Sequence, residues 1–92
     1  MQFMVEKLPK PTSEAKLFLK PRLEVVERLL VAEANYKAID APLLAAAIRC
    51  RAKELLNAAI ADAAAQFKPG DVRAAWVRAR HKNPALYDLL KE

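Results

Sequence analysis

The chain has 92 residues, 54% hydrophobic and 29% charged, which suits one core of the size a single domain forms and rules out two. Glycine, serine and threonine occur once each, as Gly70, Ser13 and Thr12, so the flexible polar linkers and the many turns of an all-β fold are excluded. Sixteen Lys and Arg against eleven Asp and Glu leave a formal charge of +5, which favours contact with anionic surfaces, whether acidic protein, nucleic acid or lipid headgroups.

The first eleven residues read as an extended apolar arm. Pro9 and Pro11 bias themselves and the residues before them towards extended or turn backbone. Phe3, Met4, Val5 and Leu8 are too apolar for a purely solvated tail, so the arm is expected to dock on the domain or on another molecule. The start lacks a basic segment followed by an apolar stretch and a small-residue cleavage site, and so does not read as a signal peptide.

Thr12 and Ser13 suit an N-cap and Glu14 the positive end of a helix, which predicts a short helix over 14–19. Pro21 then opens a second helix over 21–39, the alternative being one kinked helix. Val25, Leu29, Ala32, Tyr36 and Ile39, flanked by Leu23, Val26, Leu30 and Ala34, form one wide stripe expected to be core. Glu24 with Arg28 and Glu33 with Lys37 are spaced i,i+4 and read as a solvated opposite face.

Asp40 is expected to cap a long central helix over 41–67, with Pro42 in its first turn. Leu44, Ile48, Ala52, Leu55, Leu56, Ala59, Ile60, Ala63 and Phe67 share one sector, and Arg49, Lys53, Glu54 and Asn57 lie outside it. Ala47, Ala58, Ala61 and Ala65 make the far side smooth. Pro69 and Gly70 stop this helix, the glycine supplying a positive φ. Asp71 then caps a helix over 72–82, whose apolar positions Val72, Ala75, Trp76 and Ala79 recur at i, i+3, i+4 and i+7. Asn83 and Pro84 start a last short helix carrying Leu86, Tyr87, Leu89 and Leu90.

The expected architecture is all-α: a small bundle of four to five helices with a long central helix, an arm over 1–11 and a single helical domain over 12–92. The helices over 21–39 and 41–67 form its central hairpin. The longest uncharged run, Ala41 to Ile48, is far too short to cross a membrane.

Chemistry-bearing residues are sparse. Glu24 and Glu27 are the nearest thing to a carboxylate pair, and their i,i+3 spacing beside Arg28 reads as a solvated face. Cys50 lies between Arg49 and Arg51, but sequence neighbours on a helix diverge by 100°, and it reads as a small, partly buried structural residue. With no second cysteine no intrachain disulfide forms and nothing points to an oxidising compartment, an intermolecular bridge through Cys50 being the alternative, so the chain reads as intracellular and cytoplasmic. His81 sits near the negative end of its helix, a capping position. No set of residues has metal-ligand spacing, and one glycine builds no phosphate loop. The expectation is a non-enzyme with no metal and no cofactor.

Charge is more informative than chemistry. Almost all the excess lies in 68–82, where Lys68, Arg73, Arg78, Arg80 and Lys82, with His81 among them, face a single acid, Asp71. Arginine forks suit carboxylate and phosphate alike. The segments 59–67 and 72–82 with the turn between them have the order of a helix-turn-helix. The turn contains Pro69, however, and the second helix lacks the Asn, Gln, Ser or Thr that read base edges.

The leading expectation is therefore a protein that binds another protein, as an assembly factor, adaptor or inhibitor, through the basic helix, the arm or the smooth alanine face. The alternative is nucleic-acid binding through backbone charge, with Lys7, Lys10, Lys16 and Lys20 adding to 68–82. In that case Trp76 and Tyr87 would be candidates to stack on bases, although their helical spacing favours core. Homodimerisation is a further expectation, from the arm and the wide apolar stripes.

Overall fold

A computed structural model describes residues 9–91, which form four helices and no strand. They are α1 (Pro9–Ala38), α2 (Pro42–Gln66), α3 (Pro69–Lys82) and α4 (Pro84–Lys91). The arm residues Phe3, Met4, Val5 and Leu8 lie outside the described residues. Helix α1 opens at Pro9, so residues 9–11 belong to its first turn, where a missing N–H has no helical acceptor to lose. Thr12 and Ser13 are consequently inside α1 and not at its N-cap position.

The two helices expected on either side of Pro21 are one, α1, which passes through the proline. Pro21 has no N–H for the Leu17 carbonyl, a loss a helix tolerates when tertiary packing holds both sides. Leu19 and Leu23, on either side of it, are buried in the core. Arg22 folds back over the same turn: its Nη1 donates to the Phe18 carbonyl at 2.8 Å, and its guanidinium lies 3.7 Å from the centroid of the Phe18 ring.

Core packing follows the heptad-like spacing of small residues. On α2 the buried positions are Ala45, Ala52, Leu56, Ala59 and Ala63, repeating by sevens along two rows. On α1 they are Ala15, Leu19, Leu23 and Val26. An alanine-rich seam lets two antiparallel helices pack at the short end of the usual 8–10 Å separation. The α1 stripe is thus rotated from the expected one. Val25 and Ile39 are exposed, while the flanking Leu23 and Val26 are buried, because the interface follows the row continuing from Ala15 and Leu19. On α2, Leu44 is exposed and Ala45 takes its place. Ala47, Ala58, Ala61 and Ala65 are exposed, as expected of the far side.

The turn between α1 and α2 is closed by backbone. Asp40 adopts φ 59°, its N–H bonds Lys37 O at 3.1 Å, and Ala41 N–H bonds Tyr36 O at 2.8 Å. This paired pattern around a left-handed residue ends a helix tightly. Asp40 therefore terminates α1 and does not cap α2, whose N-cap is Ala41.

The α2–α3 connection departs from expectation in a related way. Phe67 and Lys68 are extended and Pro69 is already the first residue of α3, so the chain reverses without a positive φ at Gly70. Asp71 then sits in the first turn of α3, where a carboxylate suits the helix dipole, and Lys68 is the N-cap.

Helices α3 and α4 cover only one end of the hairpin. Phe18 and Phe67 meet edge to face at 5.4 Å near the start of α3, and Asn83 at its end reaches Glu27, so α3 runs alongside α1 between these levels. Val72, Ala75, Leu86 and Leu89 complete a single core cluster that on α1 ends at Leu30 and on α2 begins at Ala52. Beyond it the hairpin projects as two helices alone, with Leu43 85% and Ile39 70% exposed. The described residues measure 60 × 22 × 20 Å with a radius of gyration of 15.6 Å, against about 12 Å for a compact chain of this length.

Candidate binding groove between the first and third helices

Helical geometry divides the basic segment 68–82 among different surroundings. Arg73 and Arg80, seven residues apart, share one flank of α3, and Arg78 and Lys82, four apart, share the other. Arg80 lies over the Tyr87 ring at 4.7 Å, with Lys91 5.2 Å from the same centroid, so its charge is directed to α4. Arg73 and His81 are exposed beside Val77 on the outward face, and Lys68 is exposed at the N-cap.

Arg78 borders that outward face and, with Lys82, also lines a groove of about 290 Å³ between α3 and α1. The α1 wall brings Lys16 and Lys20 to the same groove. Residues fifty-eight to sixty-six positions apart in sequence thus form one basic site. Leu19, Leu23, Ala75 and Ala79 line it as well, and since three of these four are buried they form its floor. Glu24 and Glu27 continue the α1 wall beyond Lys20. Glu27 is half-buried and accepts a hydrogen bond from Asn83 Nδ2 at 3.1 Å. Among the described residues, none of Lys16, Lys20, Arg78 and Lys82 is held in an ion pair.

One carboxylate that reads as solvated surface in the sequence is interior. Glu33 is 6% exposed and lies between the helices of the hairpin. It accepts from Arg49 Nη1 on α2 at 3.0 Å and pairs with Lys37 Nζ on α1 at 3.3 Å. The signal for this is faint, a glutamate on the row that continues Leu19, Leu23 and Val26. Cys50 is exposed and not partly buried as expected, since its position on α2 faces away from α1. Trp76 is half-buried against the core cluster, and Tyr87 is partly exposed between its two cations.

Among the described residues no cluster of three or more His, Cys, Asp or Glu has the arrangement of a metal site. None of the described helices is long and apolar enough to cross a membrane. No protein-family model matches the chain, and no curated protein or solved structure shows significant similarity to it.

Proposed function

We propose that this is a small non-enzymatic accessory factor of the cytoplasm that works by holding another protein, and that the α1–α3 groove is its binding face. The observation that carries this reading is the meeting of Lys16 and Lys20 with Arg78 and Lys82 above an apolar floor. Cations that hold no ion-pair partner among the described residues, beside buried Leu and Ala, suit a surface offering carboxylates and apolar side chains together. Glu24 and Glu27 weigh against the nucleic-acid alternative, because a phosphate backbone following the groove would run past both.

The test is co-purification from native cells of the tagged chain and of a variant in which Lys20 and Arg78 are both changed to Glu, each with and without nuclease. The expected result is a discrete protein that survives nuclease treatment and is lost from the variant. Material removed by nuclease, together with direct binding of RNA or DNA that falls steeply with salt, would replace this reading by the nucleic-acid one.

A further inference from the structure

We infer that the groove receives a single amphipathic α-helix of the partner, with an apolar ridge for the floor and acidic residues one turn apart on both flanks. This inference rests on the protein-binding reading above and specifies its ligand.

The spacing of the cations is the first argument. Lys16 and Lys20 are i,i+4 on α1, and Arg78 and Lys82 are i,i+4 on α3, so each wall repeats its charge once per helical turn. A helix lying along the groove repeats its own flanks at the same interval of about 5.4 Å. Two aspartates or glutamates one turn apart therefore meet two cations on either wall. The α1 wall from Lys16 to Glu27 covers twelve residues, about 18 Å, or a ligand helix of about three turns.

The floor is the second argument. Leu19, Leu23, Ala75 and Ala79 lie in a recess between two helices, where a helical ridge of Leu or Ile fits and a flat surface does not reach. A lipid surface is flat on this scale. A nucleic-acid backbone has no apolar ridge. A second copy of this chain, at +5, brings cations to cations. Acidic flanks also satisfy the four cations without crowding Glu24 and Glu27, provided the end of the ligand lying against those two carries no acid.

The test uses the full chain and fluorescence anisotropy with three labelled peptides of about 14 residues: one with a Leu stripe flanked by Glu in helical register, one of the same composition scrambled to break the stripe, and polyglutamate of equal charge. The registered peptide should bind at least about tenfold more tightly than the other two. That affinity should fall about tenfold or more in K20E/R78E and stay unchanged in R51E, which makes one of the same charge reversals on the outer face of α2. Circular dichroism of both variants checks that they fold. Equal binding of all three peptides would make the groove a plain polyanion surface and overturn the inference. So would failure of the registered peptide to bind while the cellular partner is still captured, an outcome that leaves the protein-binding reading intact. Single-stranded RNA binding more tightly than every peptide would overturn both.

Discussion

Asn83 and Glu27 stand fifty-six residues apart in sequence and are joined by a 3.1 Å hydrogen bond, Asn83 Nδ2 donating to Glu27 Oε2. The other end of the same amide, Oδ1, accepts from Ala85 N–H at 3.2 Å. One side chain thus caps α4 and fastens the end of α3 to α1, at the end of the groove.

Replacing Asn83 by Ala removes both bonds, and the expected loss is about 1–2 kcal/mol, the size of a lost cap with one partly buried hydrogen bond. Asn83→Asp keeps the cap but sets a carboxylate against Glu27, so it should also fall below the parent protein at neutral pH. Urea unfolding of the three proteins checks the order; an N83D as stable as the parent would mean that the tie to Glu27 contributes nothing.

Glu33→Ala leaves the half-buried Arg49 without this carboxylate inside the hairpin. Breaking a fully buried pair costs about 3–5 kcal/mol, and because Arg49 keeps partial access to water the expected loss here is nearer 2 kcal/mol. A double-mutant cycle with Arg49→Ala should recover part of that loss as coupling, whereas additive effects would show that the two side chains do not act as a pair.

Gly70 is helical with a negative φ, and a Cβ added there meets nothing within 4 Å. Gly70→Ala should therefore stabilise the protein by about 0.5–1 kcal/mol through the unfolded chain's lost freedom. A glycine needed for a left-handed turn would give the opposite sign, so the thermal midpoint of this variant distinguishes the two geometries.

Cys50 is exposed on α2, so an aromatic disulfide reagent should titrate one thiol per chain in the native protein, at a rate close to that in denaturant. Slow modification that speeds up only on unfolding would place the side chain in the interior instead.

Periodicity made the helices themselves legible, since each apolar run is long enough to repeat, and Pro42 and Pro84 mark first turns. Pro21 misled because a proline's local cost was weighed without the packing of Leu19 and Leu23 around it. Asp40 and Asp71 misled for a different reason: aspartate suits an N-cap, a first turn and a left-handed turn alike, and only the backbone path chooses among them. The basic stretch 68–82 was visible as composition, but a helix distributes its side chains round a circle. The groove was visible only in halves, as Lys16 with Lys20 and Arg78 with Lys82, because what joins them is the placement of α3 against α1.

The overhang of the α1–α2 hairpin beyond the core cluster makes the described part of the chain elongated, about three times as long as it is wide. Its radius of gyration of 15.6 Å is about that of a compact chain nearly twice as long. On a sizing column a monomer of this shape elutes ahead of a globular chain of the same mass, so early elution by itself does not show association. The mass from light scattering separates shape from association, and the expected homodimer stands or falls on that number.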